Sequence, residues 1–219
     1  ASFANEFAAR RADVSLVLIV GFFAGPVRAD LPARIFTPVL YNVSGDNFKL
    51  TDCDDACGQK FYTLAFIISD KSNNPALFGC IPMDKHLYAD QIAAIRQRGG
   101  DVIISFGGAA GKEIALVETN AEVLQKKYQS VMDRYKFTWL DFDIEGDALK
   151  KHSAASERRN AVLAKLQKKN PGLIVSYTLP VDPKGITQDS QKLLADAKAR
   201  GVKVYSINLM VMDYGPHFS

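Results

Sequence analysis

Histidine and cysteine are scarce in this chain, three of each among 219 residues, and tryptophan occurs once. No CxxC pair is present, so the ligand spacing of a zinc site is missing, and no metal or cofactor is expected. There is no block of like charge. The 27 basic and 24 acidic residues leave a net charge of +3, and the basic ones are scattered over helix-like segments. A nucleic-acid surface needs basic residues clustered on one face, so no nucleic-acid partner is expected. Low-complexity stretches are also missing. A composition of 47% apolar and 23% charged residues excludes a disordered, collagen-like or coiled-coil chain.

No apolar run is long enough to span a bilayer comfortably, and no membrane partner is expected. The longest run, from Val14 to Ala24, follows Arg10-Arg11 and precedes Val27-Arg28-Ala29. A basic start, a short apolar stretch and small residues at −3 and −1 read as a secretory signal peptide over 1–29, and hence a secreted, extracellular protein. The competing reading is a first buried strand or helix, and Asp13 within the basic region favours it. The cysteines, Cys53, Cys57 and Cys80, leave two possibilities. They are three buried thiols, or Cys53 and Cys57 close a loop disulfide and one thiol is left over.

What is present is a repeated pattern. Six β-branched or aromatic runs read as strands: Ile35–Tyr41, Phe61–Ser69, Val102–Gly107, Thr138–Glu145, Leu173–Leu179 and Val204–Met212. Helical periodicity fills the intervals Asp84–Arg98, Asn120–Tyr135, Ser153–Lys168 and Thr187–Arg200. Asp84 and Thr187 are expected N-caps, and Gly201 a C-terminal stop. The polar segment Val43–Lys60 reads as a long loop. Strands alternating with helices give a parallel sheet, apolar along its strands because both faces are covered. Two architectures compete, an open doubly wound sheet and a (β/α) barrel. No GxGxxG follows the first strand, which removes support from a dinucleotide-binding version.

The informative run is Thr138-Trp139-Leu140-Asp141-Phe142-Asp143-Ile144-Glu145-Gly146. Alternation along a strand points Asp141, Asp143 and Glu145 one way and Leu140, Phe142 and Ile144 the other. Trp139 falls on the acids' face but deep, in a packing role. The acids end the strand, where barrels and open α/β sheets place their active sites. Neighbouring acids stand about 6.6 Å apart. Three such charges, partly desolvated, cannot all stay ionised, so at least one carboxyl is expected to hold a proton near neutral pH, as a general acid must. Glu145 has the longest arm and lies nearest the mouth. A salt-bridged structural role is expensive for three inward acids. A Mg²⁺ site would draw carboxylates from several strands, and Asp101 and Asp213 are poorly placed for it.

Together with Ser105-Phe106-Gly107-Gly108 and Met212-Asp213-Tyr214, this run resembles the DxxDxDxE, SxGG and MxY motifs of glycoside hydrolase family 18. That family contains the chitinases and related endo-β-N-acetylglucosaminidases, and the likeness is greatest to its bacterial and archaeal LDFDIE-type members. It covers about residues 35–215. It implies an α/β chain on a (β/α)8 TIM barrel and hydrolysis of β-1,4-linked N-acetylglucosamine in chitin or chitooligosaccharides. The alternatives are an N-glycan-releasing endo-β-N-acetylglucosaminidase and a chitin-binding lectin, which typically loses the acid Glu.

The resemblance also implies roles. Glu145 acts as general acid and base. The substrate's own acetamido oxygen is the nucleophile. Asp143 orients the acetamido N–H, Asp141 holds or shares a proton with Asp143, and the Tyr214 hydroxyl meets the acetamido oxygen. Met212, Gly107 and Gly108 join the substrate site. Tyr41, Phe66, Phe106 and Tyr177, near strand ends, are candidates to stack on sugars. Two departures stand out: Thr138 replaces the first Asp of the signature, and Gly215 replaces the Asp or Asn after the tyrosine. Six units are visible where a closed barrel needs eight. The expectation is therefore a catalytic domain over 30–219 that is C-terminally truncated, inactive or poorly folded by itself, with the function belonging to the parent enzyme.

Overall fold

A computed structural model describes residues 31, 34–41 and 49–212. The strands are β1 (Val39–Tyr41), β2 (Phe61–Ser69), β3 (Pro75–Leu77), β4 (Ile81–Pro82), β5 (Asp101–Gly107), β6 (Trp139–Asp143), β7 (Ile174–Asp182), β8 (Gly185–Ile186) and β9 (Val204–Met210). The helices are α1 (Leu50–Cys57), α2 (Ala89–Gln97), α3 (Ile114–Val117), α4 (Ala121–Tyr135), α5 (Gly146–Lys150), α6 (Ser153–Lys169) and α7 (Gln188–Ala199).

Sheet order decides between the two architectures. The parallel neighbours run β1-β2-β5-β6-β7-β9, which is chain order throughout. A doubly wound sheet reverses its order at a switch point and carries helices on both faces. Here the order never reverses. The main core joins α2, α4, α6 and α7 to one sheet face through Ile92, Tyr128, Leu163 and Leu193, meeting Ile104, Phe142 and Tyr177. This is the wall of a (β/α) barrel, six strands wide among the described residues. Two short additions sit on it. β3 and β4 form a hairpin antiparallel to β2, and β8 pairs antiparallel with the end of β7.

The opposite face is the barrel interior. A small apolar floor of Ile103, Trp139 and Ile174, with Leu31 and Ile35 against it, closes the N-terminal ends of the strands. Trp139 is thus on the acids' side and deep, in the packing role expected of it. Above the floor the interior turns polar.

Local chemistry explains most boundaries. Asn120 caps α4 by accepting from the N–H groups of Glu122 and Val123, and Thr187 caps α7 by accepting from Ser190. Gly201, just past α7, sits at φ +78°, the left-handed stop expected of it.

Four expectations need correction. The polar segment before β2 contains α1, which buries only Leu50 and so shows no apolar period. Asp84 caps nothing. It lies in a 3-10 turn, Met83–Lys85, and α2 starts later, after the positive φ of His86 and Tyr88. Cys53 and Cys57 form no disulfide, because they stand one helical turn apart and the Cys57 thiol donates to the Cys53 carbonyl at 3.1 Å. Nor are all three thiols buried, since Cys57 and Cys80 are exposed. Finally, β9 is not covered on both faces: Ile207 and Leu209 are 38% and 46% exposed. The signal-peptide reading of 1–29 lies outside the described residues. Among the described residues no helix is long and apolar enough to cross a membrane.

Candidate active site

Register sets the acids beside their partners. Asp141 of β6 pairs with Ser105 of β5 and Ser176 of β7, and Asp143 pairs with Gly107 and Thr178. All these side chains face the interior. β6 itself stops at Asp143. Ile144 continues the ladder by one bond, its N–H donating to the Thr178 carbonyl at 3.1 Å. Glu145 follows in extended conformation as the cap position of α5, half-buried at the strand's carboxyl end.

Asp141 is 3% exposed and fully engaged. Its Oδ2 accepts from the hydroxyls of Ser105 (2.8 Å) and Thr178 (3.0 Å). Its Oδ1 accepts from the Ser176 hydroxyl (2.7 Å) and the Asn208 amide (3.3 Å). Burial pushes this carboxyl up from its ordinary value, and the hydroxyls of Ser176, Ser105 and Thr178 pull against that rise.

Asp143 has a different environment. It is 8% exposed and its Oδ1 is buried with no hydrogen-bond partner among the described residues. Its side chain is hydrogen-bonded to Glu145. Burial first, then the charges of Glu145 and Asp141, push its carboxyl up to about 8. One acid of the row therefore holds a proton at neutral pH, next to Glu145.

The paired glycines explain themselves here. Gly107 sits at φ +103°, and a Cβ there would overlap the Asp143 carbonyl oxygen. The Gly108 N–H donates to that same oxygen at 3.0 Å. A Cβ on Gly108 would strike the Phe66 ring at 2.7 Å, which places Phe66 beside this turn, at the mouth end of β2. Replacing Gly107 with alanine is expected to cost about 1–3 kcal/mol in backbone strain alone and to displace Asp143. Urea denaturation measures the first effect; an unshifted midpoint contradicts it.

Two candidate sugar contacts are corrected. Tyr177 is 0% exposed on the helix-facing side, where its hydroxyl donates to the side-chain oxygen of Asn160. Phe106 is equally buried there, stacked on Phe142 with ring centroids 5.2 Å apart. Each pairs in register with Phe142, so the alternation that turns the acids inward turns these rings outward. Tyr41 ends β1 opposite Ala65. Met212 is 55% exposed and lies beyond the end of β9. Asp213 and Tyr214 fall outside the described residues.

The sequence reading missed Ser176, Thr178 and Asn208. Alternation would have found the first two, which sit level with Asp141 and Asp143. Asn208 carried no local signal.

No family model matches the chain. It is 36% identical over 165 residues to the "Probable bifunctional chitinase/lysozyme" of Escherichia coli, covering 70% of this chain. It is 37% identical over 158 residues to Endochitinase 11 of Metarhizium anisopliae, again covering 70%. Among solved structures, the catalytic domain of the hyperthermophilic chitinase from Pyrococcus furiosus matches 87% of the chain at 34% identity, with a TM-score of 0.75. The chain is thus similar in sequence to chitinases and in structure to a chitinase catalytic domain. It spans 18% and 30% of the two curated relatives and 61% of the Pyrococcus domain. The shared fold is the TIM barrel, so the barrel reading of the sheet order stands. A structure of active-domain mutants of the Pyrococcus enzyme is complexed with chito-oligosaccharides.

Proposed function

We propose that the natural protein containing these 219 residues is a retaining chitinase, hydrolysing β-1,4 linkages of N-acetylglucosamine polymers by substrate-assisted catalysis. The observation that supports this best is Asp143: protonated at neutral pH, bonded to Glu145, with a buried oxygen left without a donor. A buried acceptor without a donor is costly, and an acetamido N–H would supply one. Asp143 then holds the sugar's acetamido group against the anomeric carbon. The acetamido oxygen closes an oxazolinium ring as the glycosidic bond breaks, and Glu145 delivers to the departing oxygen the proton it shares with Asp143, which is left ionised beside the oxazolinium N–H. Glu145, now a base, takes a proton from the water that reopens the ring. Attack twice from opposite faces leaves the β configuration.

Chitinase-named relatives favour chitin over N-glycans, and the presence of Glu145 favours an enzyme over a lectin. The Tyr214 contact to the acetamido oxygen belongs to this proposal on the strength of the MxY motif alone. Export of the protein rests likewise on the residue pattern of 10–29. The test is proton NMR of chitotetraose digests. The β-anomer is expected first, relaxing later to the α form. An initial α product overturns the mechanism, and cleavage of an N-linked glycoprotein without chitotetraose turnover overturns the substrate.

A further inference from the structure

The turn that follows β5 has little of its own to hold it. Gly107, Gly108 and Gly111 all sit at positive φ, and glycine loses more backbone freedom on folding than any other residue. Residues 109–112 are exposed. Yet this turn lies against the acid strand. The Gly108 N–H donates to the Asp143 carbonyl at 3.0 Å, and the Glu113 Cγ stands 3.7 Å from where a Gly107 Cβ would be. The turn therefore needs anchors outside itself.

One anchor is a single bond to β2, from the Ser69 N–H to the Lys112 carbonyl at 2.8 Å. The other is Glu113, the first buried residue after the exposed stretch. Four donors converge on its carboxylate. Oε1 accepts from the Tyr128 hydroxyl of α4. Oε2 accepts from the Ala115 N–H at 2.9 Å and from Arg159 of α6, at 2.8 Å from Nη2 and 3.2 Å from Nε. Arg158 adds a second clasp, donating to the carbonyls of Ala115 at 2.6 Å and Glu118 at 2.8 Å. The helix that carries both arginines is the one the acid strand leads to. The chain leaves Glu145 through α5, where the Leu149 N–H donates to the Glu145 carbonyl at 3.3 Å, and returns as α6. The contacts close a bracket: Asp143 to Gly108, Glu113 to Arg159, and along the chain back to Glu145.

A buried ion pair gives little net stability, and an apolar pair of similar volume often does as well or better. What an apolar pair lacks is direction. A guanidinium and a carboxylate meet in a defined geometry. We propose that Glu113 and Arg159 are positioning residues, holding the glycine turn against the Asp143 carbonyl so that Asp143 and Glu145 keep their places at the strand's end. This rests on the hydrolase reading above and deepens it. Both side chains are buried, 1% and 0% exposed, and act on the acids only through the turn.

The double variant Glu113→Leu with Arg159→Met fills the core and strands no charge. Its kcat on chitotetraose is expected to fall by about 10–100-fold, because small misplacements of reacting groups are costly, with KM changed by no more than about threefold. Amide hydrogen exchange, followed by NMR in the intact protein, reads the cause without turnover. The Gly108 amide is expected to exchange about tenfold faster relative to the Ile144 amide. Ile144 donates to the Thr178 carbonyl on the strand's other edge and serves as the internal reference. A merely structural pair would speed both amides together, which overturns the proposal. An unchanged kcat or an unchanged Gly108 amide overturns it as well.

Tyr128→Phe is the milder lesion, keeping the ring in the core and removing one donor to Glu113. It is expected to move kcat and the Gly108 amide the same way, by several-fold. If it moves neither, the proposal falls even where the double variant fails to fold. A protein that loosens Gly108 in these variants but never hydrolyses chitotetraose sinks the hydrolase reading and leaves the bracket standing.

Discussion

Replacing Glu145 with glutamine is expected to lower kcat on chitotetraose by at least about 10³-fold while KM changes little. The substitution keeps the side chain's size and its ability to hydrogen-bond Asp143, so binding geometry survives. In the proposed mechanism it removes the group that gives a proton to the leaving oxygen and takes one from water. A positioned acid–base group contributes about 10²–10⁴-fold, and in the proposed mechanism one residue performs both steps. The loss also removes a negative neighbour of Asp143, whose carboxyl is expected to titrate below its present value of about 8. Single-turnover kinetics check the first effect, and turnover within tenfold of the unaltered enzyme would remove Glu145 from its role.

The second large effect lies behind the sheet. Glu113 and Arg159 form an ion pair at 2.8 Å, their side chains 1% and 0% exposed. Glu113 also accepts from the Tyr128 hydroxyl and caps α3 through the Ala115 N–H. Burial alone would push the Arg159 guanidinium down; Glu113 more than offsets this and holds it above its usual range. Removing one partner of such a pair strands a charge in the core. Arg159→Met is expected to destabilise by about 3–5 kcal/mol, which lowers the melting temperature by about 10 °C for a domain of this size. The double variant Arg159→Met with Glu113→Leu is expected to recover much of the loss, because a well-packed apolar replacement avoids the desolvation of both charges. A single variant melting within 2 °C of the unaltered protein would show that the pair is not holding α3, α4 and α6 together.

The sequence revealed the fold and the acid row for one reason: both obey strict periods. Alternation placed Asp141, Asp143 and Glu145 inward and Trp139 beneath them, and the six strand runs fall on the six parallel strands. The errors arose where the period was not applied or was absent. Tyr177 lies between Ser176 and Thr178, and parity alone sends its ring to the helices. The polar α1 has one buried residue and therefore no period to read. Asn208 reaches Asp141 through register between strands distant in sequence, which no local pattern encodes. The pairing of Asp143 with Glu145, rather than with Asp141, follows from which carboxyl the neighbouring donors saturate.

The polar interior has a consequence for protein engineering. An eight-residue signature looks portable, and grafting it onto another barrel would transfer three carboxyls. It would leave behind Ser105, Ser176, Thr178 and Asn208, which come from three other strands. The graft would carry the acids without the groups that tell them apart. The unit to transplant is a layer across four strands, with the indole N–H beneath it.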